Sequence, residues 1–227
     1  LPEALLNYLA LLGWSLDDHT EIFTMDDLLK HFTIERVSAS SATFDRDKLD
    51  WMNQHWINHL LTVDDLALRC LPFLIEAGTI EDGPADETHP RFGDVREAAA
   101  LLKDRIKLLT EAPDLMSYFL QDELPDYDAR LLIPKKSDAA TAQRVLEAVA
   151  GLLPEIDIND EEAIEARLRE LANELDLKAG QLFMPIRVAA TGRMQSPGLF
   201  ETLRLVGQER LTTRIANAIV KLNETAS

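Results

Sequence analysis

The sequence predicts a mainly all-α chain, and three observations carry that prediction. Apolar residues recur at i, i+3 or i+4, and i+7 in segment after segment, the period of an amphipathic helix. These segments open on Ser, Thr, Asp or Pro, and several close on Gly, the residue types that cap helix ends. No alternation of strands and helices marks a nucleotide-binding sheet, and the only stretch expected to hold strands is about residues 37–44. The chain has 227 residues, 46% of them hydrophobic, so two or three helical subdomains with real cores are expected.

The elements follow in order. A helix over residues 1–12 starts at Pro2, carries Leu5, Tyr8, Leu9 and Leu12 as its stripe, and ends at Gly13-Trp14. Thr24 and Asp27 form a variant capping box ahead of a short helix over 25–32. Asp45 caps a helix with Leu49, Met52, Trp56 and Leu60 on one face, and both Trp51 and Trp56 are expected to pack. Thr62 starts the next helix, with Leu66, Cys70, Phe73 and Leu74 inward and Gly78 as its stop. Residues 79–93, with Gly83-Pro84, His89-Pro90 and several acids, form a surface linker. A helix over 95–109 carries Ala98, Leu101, Leu102, Arg105 and Leu109, and a junction around Tyr118-Phe119 and Tyr127 follows. Ser137 caps a helix with Ala140, Arg144, Leu146, Val149 and Leu153. Residues 163–175 are strongly amphipathic, with Ile164, Leu168, Leu171 and Leu175 inward and mixed charges on the solvated face.

Residues 178–221 are the only long net-basic segment. Lys178, Arg187, Arg193, Arg204, Arg210, Arg214 and Lys221 stand against Glu201 and Glu209, a net of +5 in a chain of −17. Such a patch is a candidate footprint for a polyanion. Pro185 suits the first turn of a helix running to about Ala190, with Gly192 as its C-cap. Ser196-Pro197 is an N-cap followed by Pro at the first helical position, a helix start whose N–H groups would face a docked ligand. That helix carries Leu199, Leu203 and Val206 and ends at Gly207, and the last helix carries Leu211, Ile215, Ala218 and Leu222.

The run Met184-Pro185-Ile186-Arg187-Val188-Ala189-Ala190-Thr191-Gly192-Arg193, then Ser196-Pro197-Gly198-Leu199-Phe200, resembles the anticodon-binding end of bacterial glutamyl-tRNA synthetases. The family pattern there is roughly Gln-Pro-Leu-Arg-x-Ala-Leu-Thr-Gly, then Ser/Thr-Pro-x-Leu; Met184, Ile186 and Ala190 depart from it. The stretch from Glu3 to Trp14 is similar to the segment shortly after the family's Lys-Met-Ser-Lys-Ser-type loop. Phe44-Asp45-x-x-Lys48-Leu49-x-Trp51-Met52-Asn53 resembles the next hallmark, and Arg105-Ile106-Lys107-Leu108-Leu109-Thr110-Glu111 a looser third one.

The resemblance implies a stem-contact remnant at 1–63, followed by a two-part helical anticodon-binding bundle at 64–153 and 154–227. The chain would be the tRNA-binding part of a glutamate–tRNA ligase, a cytoplasmic class I aminoacyl-tRNA synthetase that uses ATP and Mg to attach glutamate to tRNA in protein biosynthesis. The family's nucleotide-activating loops are missing, so no residue is assigned to catalysis, no cofactor is expected here, and the fragment alone is expected to be inactive. By the same resemblance Arg187, Ser196, Pro197 and Leu199 meet anticodon bases. Arg193, Arg204, Arg210 and Lys48 meet the tRNA backbone. Leu102 stands about where the family carries a basic side chain bearing on the choice of tRNA. The expected partners are glutamate tRNA, with glutamine tRNA a second candidate, and the chain's own missing catalytic domain. No DNA, membrane or second copy is expected.

Other chemistries lack their residues. There is no phosphate-binding Gly-rich loop. His55 and His59 have the i, i+4 spacing of two metal ligands but no obvious third, so no metal is expected. Asp17-Asp18, Asp26-Asp27 and Glu161-Glu162 sit at helix starts, where they complement the dipole. Cys70 lies within an apolar pattern and is expected to be a small core residue. No apolar run approaches the ~20 residues of a membrane span. Leu1-Pro2-Glu3 opens a helix rather than a signal peptide, and Leu1 in place of an initiating Met points to a trimmed or partial chain. The alternative reading is a helical protein–protein interaction module with no nucleic-acid role, which the net charge of −17 favours.

Overall fold

The computed structural model describes residues 1–38 and 43–225. Among these there are eleven α-helices and no strand. The stretch expected to be extended falls in part on residues 39–42, outside the described residues. Val37, Ser38, Thr43 and Phe44 on either side of it join no sheet. Ser38 instead donates its N–H to the Gly13 carbonyl, 2.7 Å away, at the end of the first helix. Internal contacts divide the chain into two units, Leu1–Leu115 and Met116–Ser227. This criterion differs from the family modules expected at 1–63, 64–153 and 154–227.

The first unit holds α1 (Pro2–Leu11), α2 (Met25–His31), α3 (Arg46–His55) with a wider turn over Trp56–Leu60, α4 (Val63–Glu76) and α5 (Phe92–Leu102). Side chains satisfy the orphan N–H groups at three of these starts. Thr24 with Asp27 and Thr62 with Asp65 form reciprocal capping boxes, and Asp45 accepts from the Lys48 N–H at 3.1 Å. The buried face of α1 is not the leucine stripe. Ala4, Asn7 and Tyr8 are buried, whereas Leu5 and Leu9 are 42% and 49% exposed. Polar clamps choose the face: Asn7 donates to the Glu21 carbonyl at 2.9 Å and accepts from Phe23 N–H at 3.2 Å, and the Tyr8 hydroxyl accepts from Asp45 N–H. The Arg69 guanidinium forks onto Glu3 at 3.0 and 2.6 Å and ties α4 to α1.

α4 packs on α5 through Leu66, Cys70, Leu71 and Leu74 against Val95, Ala98, Ala99 and Leu102. Burial pushes the Cys70 thiol up to about 12, consistent with an inert core residue. α5 ends at Leu102 rather than continuing to 109. Ile106 turns into the core, and the Glu111 carboxylate accepts from the Lys107 and Leu108 N–H groups, which closes the chain into a new start. That start leads to α6 (Ala112–Leu120), which the sequence pattern left as a junction; the division between units falls within it. The 79–93 linker is pinned by buried His89, whose Nδ1 accepts from Arg91 N–H at 3.0 Å.

The second unit holds α7 (Ala139–Leu152), α8 (Glu161–Glu174), α9 (Ala179–Thr191), α10 (Leu199–Val206) and α11 (Gln208–Thr225). α7, α9 and α11 meet pairwise around Val145, Leu146, Leu182, Ile186, Leu211 and Ile215, and α8 and α10 flank α9. Asp138, not Ser137, caps α7, accepting from Thr141 N–H at 2.8 Å, and Asp160 caps α8. Pro185 lies inside α9 rather than in its first turn. It removes one hydrogen bond, but apolar residues on both sides of it are buried, and tertiary packing rather than propensity holds a helix together. Gly192 closes α9 in the left-handed region at φ 71°.

Two stability predictions follow from these helix ends. Thr62→Ala breaks the α4 capping box and should cost about 1 kcal/mol. A thermal melt followed by circular dichroism should show a midpoint about 2–4 °C lower; an unchanged midpoint would remove the cap from the account. Gly192→Ala should cost about 1–2 kcal/mol in a denaturant titration for its left-handed backbone alone, because the Tyr127 ring, 3.4 Å from the added Cβ, is in ordinary contact. Gly93→Ala, in open space inside α5, is the control and should be neutral or stabilising in the same denaturant titration.

Candidate nucleic-acid interface

The end of α9 sets up the site. Thr191 Oγ1 donates to the Arg187 carbonyl one turn back at 2.8 Å and accepts from the Arg193 N–H at 3.2 Å. The chain therefore reverses tightly after Gly192 and returns past the helix it has just left. Arg187, half-buried on the last full turn of α9, donates through Nη1 to the Ser196 hydroxyl and to the Pro197 carbonyl, 2.7 Å away. The structure thus brings Arg187, Ser196 and Pro197 into one cluster, closed from the far side by Thr202 Oγ1, 3.4 Å from Ser196 Oγ.

Two expected details differ. Ser196 does not cap a helix: α10 begins at Leu199 with Gly198 as its cap residue, because the Ser196 hydroxyl is engaged by Arg187. Leu199 is only 5% exposed and joins Leu203 and Val206 in the core, so its side chain is not displayed as a cover for a base.

The expected backbone-contacting cations divide into kinds. The Arg193 guanidinium lies over the Tyr118 ring, 5.8 Å from its centroid. Arg204 Nε pairs with Glu161 at 2.7 Å, linking α10 to α8. Arg210 donates to the Phe119 carbonyl. Lys48, in the first unit, pairs with Glu21 at 2.5 Å. Lys221 pairs with Asp126 and sits 5.0 Å from the Tyr127 ring centroid, with burial pushing the Tyr127 phenol up to about 12. These last two line a cavity of about 460 Å³, mixed polar and apolar, between the 122–127 loop and α11. Leu102 is core, 1% exposed.

Arg214 is the residue that the sequence pattern passed over. It is 3% exposed, and its guanidinium donates to the carbonyls of Tyr118, Gln121, Asp122 and Ala190. Burial lowers its pKa to about 10, which still leaves it charged at neutral pH. The available signal was its position: a basic residue inside the Leu211–Ile215–Ala218 stripe.

With this geometry in hand, the likenesses to known proteins take on meaning. A family model described as the anticodon binding domain matches residues 65–219. A second, for the catalytic domain of class I tRNA synthetases (E and Q), matches residues 1–51. Glutamate–tRNA ligases from Chloroflexus aurantiacus and Herpetosiphon aurantiacus are 44% and 40% identical over all of this chain. The chain spans about half the length of these relatives, 44% and 45%. A solved glutamate tRNA ligase from Elizabethkingia meningosepticum, in complex with its amino acid, shares the fold with a TM-score of 0.81 at 24% identity, covering 98% of this chain and 41% of that one. These likenesses do not favour the protein–protein module. The arginine-anchored turn between α9 and α10 lies inside the matched region, and the chain belongs to the anticodon-binding domain family.

Proposed function

We propose that this chain is the tRNA-reading part of a cytoplasmic glutamate–tRNA ligase, and that Arg187 and Ser196 read anticodon bases from a turn set by Pro197, which is itself buried. The observation that carries the proposal is Arg187, half-buried near the end of α9, holding the Ser196–Pro197 turn through Nη1. Bases of an anticodon loop are unstacked, with their Watson–Crick edges free to be read. A guanidinium offers five donors in a rigid fork, suited to the O2 and N3 acceptors of a cytosine. Pro197 stiffens the turn, and Leu199 acts from beneath it by fixing α10 in the core.

Arg193, Arg204, Arg210 and Lys48 are proposed to meet phosphates, which position without specifying. For Arg204 and Lys48 this means exchanging Glu161 and Glu21 for a phosphate. Exposed ion pairs are worth about 0–1 kcal/mol, so the exchange costs little. Glutamate tRNA is the proposed partner, with glutamine tRNA second. ATP and Mg belong to the proposed chemistry of the whole ligase, and none of the residues here is assigned to them.

The missing partner of the first unit is proposed to be the rest of the same catalytic domain. An apolar groove of about 440 Å³ runs along α1 and α2, lined by Leu6, Leu9, Met25, Leu29, Phe32 and Val37. Ten of the thirteen exposed large apolar side chains among the described residues lie within 1–51, the part matched by the catalytic-domain model. A concentration of that kind marks an interaction surface, and the uncovered half of the relatives' length supplies the occupant.

Two experiments test these readings. Retention on immobilised tRNA should fall steeply with salt, in proportion to the phosphates contacted. Arg187→Ala should weaken cognate binding by about 1–3 kcal/mol and relax base preference at one anticodon position. Arg193→Ala should weaken all tRNAs alike and flatten the salt slope. Unchanged affinity and preference in folded Arg187→Ala would remove it from base reading. For the groove, the portion of the Chloroflexus aurantiacus ligase that this chain does not cover should bind the chain in a pull-down. Leu9→Glu with Phe32→Glu, both at exposed positions, should abolish it; binding indifferent to the charges would reject the groove.

A further inference from the structure

We infer that Arg214 is a positioning residue that sets which anticodon base the α9–α10 turn can read, by locking the carboxyl ends of α6 and α9 to one another. The inference rests on the tRNA-reading proposal and adds a residue that touches no RNA.

The geometry has two sides. Nη1 of Arg214 bridges the Tyr118 carbonyl at 2.8 Å and the Ala190 carbonyl at 2.6 Å, while Nη2 takes the Gln121 carbonyl at 2.6 Å and Nε the Asp122 carbonyl at 3.3 Å. Tyr118 belongs to the last turn of α6, with Gln121 and Asp122 just beyond it, and Ala190 belongs to the last turn of α9. The last carbonyls of a helix have no partner within it and carry its partial negative charge. One guanidinium from α11 therefore satisfies two helix ends at once and fixes their separation.

What lies beyond those ends gives the lock its consequence. Ala190 is followed by Thr191, whose hydroxyl ties Arg187 to Arg193, and by Gly192, where the chain reverses. Arg193 then lies over the ring of Tyr118, the same residue whose carbonyl Arg214 holds. Arg214 thus holds Tyr118 directly and, through Ala190, the helix end three residues before Arg193, and Arg187 leaves α9 one turn before that anchor. A lysine cannot replace the fork, because a single ammonium has three donors at one point and cannot span four carbonyls.

The test compares Arg214→Lys with the wild-type chain in two measurements. The first is the affinity ratio between glutamate tRNA and the same tRNA with one anticodon base exchanged. The wild-type ratio should collapse by about tenfold in Arg214→Lys, while affinity for the exchanged tRNA changes less than about twofold. A variant that is merely less folded would weaken both tRNAs equally and leave the ratio intact, which would overturn the inference. The second is hydrogen exchange at the amides of residues 191–198, which should accelerate in the variant while those of α7 and α8 do not. This measurement needs no tRNA. If wild-type protein ignores the anticodon but the turn still loosens, the tRNA-reading proposal fails and the lock stands as a local device; an unchanged turn rejects the lock. Should Arg214→Lys not fold, Arg214→Gln is measured in its place, and collapse of both variants overturns the inference by assigning the arginine to the core as a whole.

Discussion

Every helix leaves four N–H groups at one end and four carbonyls at the other without partners inside it, and a chain built almost wholly of helices meets that constraint at every turn. The side chains that meet it organise this structure. At the amino ends Thr24, Asp45, Thr62, Asp138 and Asp160 accept from the backbone, and acids such as Asp26, Asp64, Glu161 and Glu162 add charge where the dipole favours it. Much of the chain's acidity is thereby local helix chemistry rather than a surface field addressed to a partner. At the carboxyl ends the solutions are fewer: Gly192 closes α9, and the Arg214 guanidinium serves α6 and α9 together.

The candidate anticodon turn is a consequence of those carboxyl ends. It is short, it follows a left-handed glycine, and its hydroxyls and carbonyls are already engaged by Arg187 and Thr191. Pre-ordering of this kind lowers the entropy that binding would otherwise cost. It also moderates the basic stretch. Glu161 and Asp126 pair with Arg204 and Lys221, so the +5 of residues 178–221 falls to 5 − 2 = +3. An acidic chain and a polyanion can meet there because screening confines each charge to about 10 Å at moderate salt.

The first unit shows the opposite economy. Its polar residues point inward as clamps, and its leucines point out along α1. An amphipathic helix whose apolar stripe faces solvent is inconsistent as an isolated object and consistent as half of an interface. The same residues lie among those that the catalytic-domain model matches, 1–51.

The sequence by itself determined the helical class, the caps at Thr24, Asp45 and Thr62, the glycine closing α9, and the inward stripes of α10 and α11. All of these are local: they depend on neighbours within about one turn, and residue type decides them. It also carried the family, through Arg187, Thr191, Gly192 and the Ser196–Leu199 run. The tertiary structure decided the rest. It kept Tyr8 of the expected α1 stripe buried but added Asn7 and turned Leu5 and Leu9 outward, with hydrogen bonds to Glu21, Phe23 and Asp45 fixing that face. It ended α5 at Leu102 because Ile106 has a core to enter, and carried α9 through Pro185 because the residues around it are buried. It withdrew Ser196 from capping because Arg187, nine residues earlier, reaches its hydroxyl first. Arg214 marks the limit of periodic reading: its stripe shows that it is buried, but the carbonyls that accept its charge lie 24 to 96 residues away, and only the folded chain brings them together.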